Sequence, residues 1–214
     1  MASTAKPRRS PPCGLRIQPA EIAHRVRALH RRISADLSAL NASASFLDRL
    51  RTTGRLDTDL AHRHGAVGPV GRASGVDLDD RVWRPYDGYP DLAPIIVPTS
   101  TVTDALARLR VREAEVTQSA ELFGEAADRL TDIEPVFGVR APAVDGTHLG
   151  VAESAAGEVL HSVTIRDGRV VRCFARSASF HDLVLLHNAF HGDVFTDLGF
   201  IEASFGLSYA GVAM

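Results

Sequence analysis

The sequence predicts an α+β protein in which a helical bundle carries a β-hairpin as a second layer. Apolar residues recur at steps of three and four in two long segments, residues 19–41 and 103–130, and this is the spacing of amphipathic helices. Residues 159–165 and 170–174 have the pattern of strands, and Asp167-Gly168 between them is a favoured hairpin turn. Helices on both sides of one hairpin, without a strand–helix–strand rhythm, favour the α+β class.

Composition limits the kind of protein. The chain has 214 residues, 45% of them hydrophobic, which is enough for a substantial core. The net charge of −2 gives no electrostatic reason to expect nucleic acid or a membrane surface as a partner. Since no apolar run approaches the roughly 20 residues of a membrane helix, we expect a cytoplasmic chain. Residues 1–14 have the composition of a disordered tail, and residues 15–214 are expected to form one domain.

Four helices are expected before the hairpin. The first begins near Pro19 and ends near Asn41, with its arginines on a solvated face. Shorter helices fit residues 45–52 and 58–64, the latter begun by Asp57. The longest opens at residues 103 and 104 and suits packing against the first helix. Glu113 falls on its packed side, where a carboxylate needs a partner or water.

Two segments between these helices are expected as loops. Residues 65–77 contain glycines and a proline, but neither the G-K-S/T ending of a P-loop nor G-x-G-x-x-G, so tight turns are favoured over a phosphate cradle. Residues 81–89 are rich in aromatic residues and proline and are expected to lie on the surface.

The hairpin is expected to follow a loop over residues 132–148 and to lead into a last helix. Ser179 is the expected N-cap of that helix, with Asp182 reaching back to its first turn. Gly192 is expected to end it.

Two acidic residues beside the hairpin are candidate catalytic groups. Glu153 and Glu158 flank the turn into it, and paired carboxylates can perform acid–base chemistry. The same residues could instead cap backbone groups and form a salt bridge with Arg72 or Arg176.

Metal ligands are sparse. Cys13 and Cys173 are too few for a four-cysteine site within this chain. His187 and His191 have the i, i+4 spacing of a zinc-binding pair, but Asn188 stands where an H-E-x-x-H motif has glutamate. A solvated or capping pair of histidines is the favoured interpretation.

Several further motifs stand in order over most of the chain. The first motif extends from Gly65 to Tyr89 and includes Gly68, Pro69, Arg72, Ala73, Ser74, Gly75, Val76, Asp77, Arg81, Pro85 and Tyr86. The next supplies Asp104, Arg108, Val111, Arg112, Glu115, Gln118 and Ser119. Two more stand at residues 153–158 and 176–180. Together these motifs resemble the large subunit shared by NADH–quinone oxidoreductase (the D subunit of complex I) and membrane-bound nickel–iron hydrogenases, including that of formate hydrogenlyase. In that family the last two motifs read E-x-P-R-G-E and R-x-P-S-F.

The resemblance implies a hydrogenase large-subunit-like fold and a place in a multisubunit electron-transfer complex, peripheral to the inner face of the membrane. It implies an iron–sulfur small subunit and membrane-arm subunits as partners. Quinone and NAD(H) would belong to the wider complex, with no cofactor in this chain. A catalytic cleft would lie between the bundle and the hairpin, with Arg72, Asp77, Glu153 and Glu158 as its candidate catalytic residues.

The departures from the family pattern bear on activity. The chain has no C-x-x-C pair, and residues 203–211 stand where the hydrogenases carry one, so a nickel–iron centre is not expected here. Ala155 and Ala156 replace the proline and the basic residue of the E-x-P-R-G motif. The family's N-terminal part has no counterpart, so a separate chain could supply it. The alternative function is a non-catalytic structural subunit, or a degenerate fragment, that keeps the fold and the partner interface.

Overall fold

The fold is α+β, as the sequence predicts. A computed structural model describes residues 19–130 and 144–212. The helices are α1 (Pro19–Asn41), α2 (Ala44–Leu50), α3 (Thr58–Arg63), α4 (Gly68–Arg72), α5 (Asp80–Trp83), α6 (Ala105–Arg129), α7 (Ala178–Phe190), α8 (Leu198–Phe205) and α9 (Tyr209–Val212), with 3-10 turns at Tyr89–Asp91 and Phe195–Asp197. The strands are β1 (Gly146–Ser154), β2 (Gly157–Arg166) and β3 (Arg169–Arg176). The tail predicted for residues 1–14 lies outside the described residues.

The helix boundaries follow local signals. The side chain of Asp57 accepts from the N–H of Leu60 at the start of α3, and that of Asp104 accepts from Ala107 at the start of α6. The long helices α1 and α6 pack side by side, as their apolar periodicity predicts. Glu113 finds partners on both sides, because Asn41 and Arg110 each donate a hydrogen bond of 2.8 Å to its carboxylate.

The three strands form one antiparallel sheet in the order β1-β2-β3. The predicted hairpin is confirmed: Asp167 and Gly168 have φ values of +51° and +68°, which suit the tight turn between β2 and β3. β1 was not predicted. Its N-terminal end falls in the expected loop at 132–148, of which residues 132–143 lie outside the described part of the chain. The sequence of β1 has glycines at positions 146 and 150 and few apolar residues. It therefore lacks the pattern that predicts a strand.

Three other predictions are corrected by the structure. The glycine-rich segment contains the buried helix α4. The aromatic segment lies on the surface, as expected, but it contains most of α5 and a 3-10 turn rather than a loop throughout. Ser177, not Ser179, caps α7 by accepting from the N–H of Phe180. Ser179 accepts instead from the N–H of Ser208, which attaches the C-terminal segment to α7.

The main core lies between the α3–α4 region and the C-terminal helices. It is formed by Leu56, Ala61, Ala66, Val70, Leu185, Ala189, Ile201 and Phe205. None of the described helices combines the length and the apolar character needed to cross a lipid bilayer.

The turn between β1 and β2 lies directly against the start of α4. A Cβ atom on Gly68 would lie 2.0 Å from the carbonyl oxygen of Ala156, and one on Gly157 would lie 2.6 Å from the backbone nitrogen of Gly68. Both glycines have positive φ, which favours glycine in any case. This contact fixes the sheet on the helical bundle, and the candidate site forms beside it.

Gly68→Ala is therefore expected to lower the free energy of unfolding by about 3 kcal/mol or more, because backbone must move to admit the methyl group. Gly150→Ala is the matched control, since a Cβ at Gly150 meets no atom within 4 Å among the described residues. Urea unfolding of the two variants measures the difference. Equal stabilities would contradict the close contact at Gly68.

Candidate functional site

A cleft of about 600 Å³ opens between α1, α6 and the turn that joins β1 to β2. It lies between the bundle and the hairpin, the place in which the resemblance implied a catalytic cleft. Its charged floor is formed by Arg72, Arg81, Arg112, Glu115 and Glu153. Its apolar walls are formed by Val26, Leu29, Ile33, Val116, Ala120 and Phe123. The cleft thus combines a hydrogen-bonding end with a hydrophobic body.

Arg72 is the centre of the floor. Its side chain is only 1% exposed, and its guanidinium donates hydrogen bonds of 2.6 Å to Glu115 and 2.9 Å to Glu153. Asp79 lies 3.6 Å away, and the Leu78 carbonyl accepts a further bond of 2.9 Å. A buried cation needs such partners, because an unpaired charge in a protein interior is costly. The short helix α4, fixed by the turn after β1, places Arg72 in this position.

A second arginine is held beside it. Arg81 binds both carboxylate oxygens of Asp79, at 2.9 and 2.7 Å, and its guanidinium lies 5.9 Å from the ring centre of Tyr89. Burial raises the pKa of Asp79, but the hydrogen bonds and charge of Arg81 outweigh burial and lower that pKa below its ordinary value. Asp79 is therefore a fixed anion that orients two guanidinium groups.

Glu153 is the candidate catalytic residue that faces the cleft. Its backbone N–H donates to the hydroxyl of Tyr86 at 3.0 Å, and its carboxylate accepts from the N–H of Asp80 at 3.3 Å as well as from Arg72. Burial raises the pKa of Glu153, the charge of Arg72 opposes that rise, and nearby Asp79 adds to it. The net shift is upward, so this carboxyl group is disposed to hold a proton more tightly than an exposed glutamate.

Glu158 belongs to a neighbouring network. It pairs directly with Glu153 in the register of β1 and β2, so both carboxylates stand on the same face of the sheet. Arg84 and Arg176 form ion pairs with Glu158, whereas Arg72 forms an ion pair with Glu153. The salt bridges proposed from the sequence are thus present. Glu158 is not among the residues that line the cleft.

Asp77 is separated from this group. Its side chain is exposed, and it is not among the residues that line the cleft. Asp77 was predicted as a residue of the cleft, but Asp79, two residues later, is the aspartate that lies buried beside Arg72. The choice between two nearby aspartates depends on how the chain turns into α5, which no local motif specifies. The catalytic roles given to Arg72, Glu153, Glu158 and Asp77 remain predictions.

Glu115 is a residue of the floor that was not predicted from the sequence as a site residue. It lies on the face of α6 that also carries Arg112 and Ser119, at steps of three and four, and this face lines the cleft. The sequence signal that could have identified Glu115 was this row of polar residues beside the apolar seam of α6. Glu115 accepts the shortest of the hydrogen bonds that Arg72 donates.

Asp182 is buried beneath the site rather than at a helix cap. Its side chain accepts a hydrogen bond of 3.3 Å from the N–H of Val67, just before α4. Burial raises its pKa to about 7, although that hydrogen bond and the positive charge of Arg112 act in the opposite direction. The capping role predicted for Asp182 is wrong, because α7 begins earlier and this residue faces α4.

The C-terminal segment is held by two arginines of α6. Arg112 donates to the backbone carbonyls of Ser204 and Phe205 at 2.6 and 2.9 Å. Arg108 donates to the hydroxyl of Ser204 and to the Gly54 carbonyl. Cations at the end of α8 satisfy carbonyl groups that have no partner within the helix. In this structure, the segment where the resemblance places cysteine ligands is fixed by guanidinium groups.

Candidate metal ligands do not converge in the part of the chain that the structure describes. No group of three or more His, Cys, Asp or Glu residues within residues 19–130 and 144–212 is arranged to hold a metal ion. His187 and His191 lie near the end of α7 with exposed side chains, and Cys173 is exposed on β3.

The fold is found in a known respiratory assembly. It matches a chain in the structure of the membrane-bound sulfane sulfur reductase (MBS), an archaeal respiratory membrane complex, with a TM-score of 0.82 and 24% sequence identity. The match covers 92% of this chain and 55% of that chain. At this level of identity the similarity establishes the fold.

The sequence comparisons define the family. Residues 18–144 match the family described as "Respiratory-chain NADH dehydrogenase, 49 Kd subunit". The D subunit of NADH-quinone oxidoreductase from Chlorobaculum tepidum is 33% identical over 173 residues, and a D subunit of the Streptomyces coelicolor enzyme is 31% identical over 160 residues. The matches cover 74% and 72% of this chain, but only 42% of each relative. The chain belongs to the family of the 49 Kd subunit, as its motifs indicate, and spans less than half the length of these relatives.

Arg72→Met is expected to lower the free energy of unfolding by about 3–5 kcal/mol, because Glu115 and Glu153 would lose their buried counter-charge. Arg110→Met, which removes an exposed ion pair to Glu113, is the control and should cost less than about 1 kcal/mol. Urea denaturation compares them. Adding Glu153→Gln to Arg72→Met should recover part of the loss, and the absence of both effects would refute a structural role for this cluster.

The stability of the chain should decrease as pH rises toward 7 because of Asp182. The raised pKa of this carboxyl means that the folded chain binds more protons than the unfolded chain between about pH 4 and pH 7. The resulting slope is at most about 1.4 kcal/mol per pH unit. Asp182→Asn retains an acceptor for Val67 and should flatten this part of the profile, whereas the exposed control Asp77→Asn should not. Thermal or urea unfolding at a series of pH values provides the measurement, and parallel profiles would refute the assignment.

Proposed function

We propose that this chain is a large-subunit-like component of a multisubunit respiratory electron-transfer complex, of the NADH–quinone oxidoreductase or the formate- and hydrogen-linked type. Its cleft would receive the head of a quinone. The single observation that carries this proposal is the cleft itself, which is bounded by family-motif residues and joins a charged floor to apolar walls. Family membership and the shared fold support the same assignment.

The residues of the floor fit the chemistry of a quinone head. The carbonyl oxygens of a quinone accept hydrogen bonds and gain negative charge on reduction, and guanidinium groups stabilise such charge in a site shielded from water. Arg81 would donate to these oxygens through Nη1, since its Nε and Nη2 are bound to Asp79. Arg112, whose terminal nitrogens bind the carbonyls of Ser204 and Phe205, would contribute positive charge, and Arg72 is occupied by its carboxylates. Glu153, whose carboxyl pKa is raised by burial, would be the group of the floor that exchanges a proton with the reduced oxygen. The apolar walls would hold the ring and the start of its tail.

The chain would contribute no metal centre of its own. Nickel–iron centres require several thiolates, and this sequence has two cysteines and no C-x-x-C pair. Electrons would arrive from an iron–sulfur small subunit, and membrane-arm subunits would hold the complex at the inner face of the membrane. NAD(H), where the complex uses it, would bind on another subunit.

A non-catalytic structural subunit is the second candidate, and one observation favours it. Ala155 lines the cleft, and Ala156 is the next residue in the same turn, at the positions where the family motif has proline and a basic residue. A cation that would face a developing negative charge is therefore missing from the edge of the cleft. In this alternative the fold and the partner surfaces are retained, and the cleft performs no reaction.

Purification of the tagged chain from its source cells tests the proposal. Iron–sulfur and membrane-arm subunits should co-purify, with quinone-linked activity, iron and no nickel in the eluate. Recovery of the bare chain, or of stoichiometric nickel bound to it, would overturn the assignment.

Ala120→Trp then separates the two candidates. This substitution places a large ring on the wall of the cleft and is expected to reduce quinone-linked activity at least tenfold while the complex still assembles. Ala114→Trp, on an exposed face of the same helix, is the control and should leave activity near the wild-type level. Full activity of the assembled Ala120→Trp complex would support the structural role.

A further inference from the structure

The hydroxyl of Tyr86 is bound to both backbone polar groups of Glu153. It accepts a hydrogen bond of 3.0 Å from the N–H of Glu153 and donates one of 3.4 Å to the carbonyl of the same residue. β1 lies at one edge of the sheet, so its backbone groups that face away from β2 have no strand to pair with. At Glu153, a single phenol takes the place of a neighbouring strand.

The carboxyl end of Glu153 is held separately. Its side chain is only 4% exposed, and it accepts from Arg72 at 2.9 Å and from the N–H of Asp80 at 3.3 Å. Tyr86 therefore holds the backbone of Glu153, while Arg72 and Asp80 hold its carboxylate. A residue fixed at both ends stays at the floor of the cleft, and proton transfer requires a donor held within hydrogen-bond distance of its acceptor.

The ring of Tyr86 is itself supported by Tyr89. The two rings meet edge to face, with their centres 5.3 Å apart and their planes at 75°. Tyr89 lines the cleft, whereas Tyr86 is not among the lining residues. Tyr86 thus lies behind the cleft, and it would act on a bound molecule through Glu153 rather than by contact.

Loss of the Tyr86 hydroxyl would release Glu153 without releasing the turn beside it. The turn between β1 and β2 is fixed independently, by the close backbone contact between Gly157 and Gly68. The change would therefore be confined to the end of β1. Burial is the largest cause of the raised pKa of Glu153, so a carboxyl that moves toward solvent would lose part of that rise.

We propose that Tyr86 is a positioning residue, which holds the Glu153 carboxyl where it passes a proton to a bound quinone. This inference rests on the proposed function of the cleft. A quinone takes up two electrons and two protons when it is reduced to a quinol. The electrons come from the iron–sulfur small subunit, one proton comes from Glu153, and the other comes from solvent at the open side of the cleft. Solvent then returns a proton to Glu153.

Tyr86→Phe tests this role, because it removes the hydroxyl and keeps the ring against Tyr89. In the assembled complex, this variant should lower kcat for quinone reduction about tenfold and change KM less than about twofold. Activity requires protonated Glu153 and is lost as pH rises through the pKa of that carboxyl. The variant should therefore lose activity at lower pH than the wild type, since its carboxyl is less buried.

Tyr209→Phe is the matched control. It also removes a phenol hydroxyl that is bound to another residue, in this case Glu202, and neither residue lines the cleft. This variant should change neither kcat nor the pH profile. A pH profile of Tyr86→Phe that matches the wild type would overturn the proposal, as would failure of Tyr86→Phe to assemble, because the residue would then serve folding alone.

A double-mutant cycle shows whether Tyr86 acts through Glu153. Glu153→Gln alone should lower kcat about a hundredfold, and adding Tyr86→Phe to it should lower kcat less than about twofold further. Losses that multiply would mean that Tyr86 acts independently of Glu153, contrary to the proposal. A wild-type complex without quinone-linked activity would defeat the proposed function and this inference together. An active wild-type complex that keeps full activity in Tyr86→Phe would defeat this inference alone.

Discussion

The buried guanidinium of Arg72 is the interaction on which the structure of the site depends. It joins α4 to Glu115 of α6 and to Glu153 of β1, and thus ties three separate parts of the chain at one point. An unpaired charge at 1% exposure would be strongly unfavourable, so the three elements must remain together whenever the chain is folded. The cleft is the space left beside this junction.

The apolar and charged parts of the cleft share α6 but differ in the other elements that form them. The walls come from the seams of α1 and α6, two long helices whose packing follows from their amphipathic pattern. The floor adds the short helices α4 and α5 and the end of β1 to the polar face of α6, and the close backbone contact at Gly68 and Gly157 holds these elements together. This division places hydrophobic surface and hydrogen-bond donors within one cavity, as sites for amphipathic molecules require.

The family motifs and the local structure give different kinds of information about activity. Arg72 and Arg81 of the first motif and Glu115 of the second form a connected cluster, in which Asp79 joins the two arginines. The end of the chain, in contrast, is held by Arg108 and Arg112 bonds to backbone carbonyls and to a serine hydroxyl. Guanidinium groups and carbonyls at this end maintain the fold without offering soft ligands to a metal.

The sequence alone determined the features that depend on neighbouring residues: the amphipathic helices α1 and α6, the caps at Asp57 and Asp104, and the Asp167-Gly168 turn. Only the tertiary structure decided that β1 joins the sheet, that Asp79 rather than Asp77 enters the site, and that Arg72 pairs with Glu115 and Glu153, which lie 43 and 81 positions away. Helix periodicity, caps and turns depend on groups only a few residues apart, so a short stretch of sequence is enough to predict them. Ion pairs and burial depend on distance in space, which is fixed only when the whole chain packs.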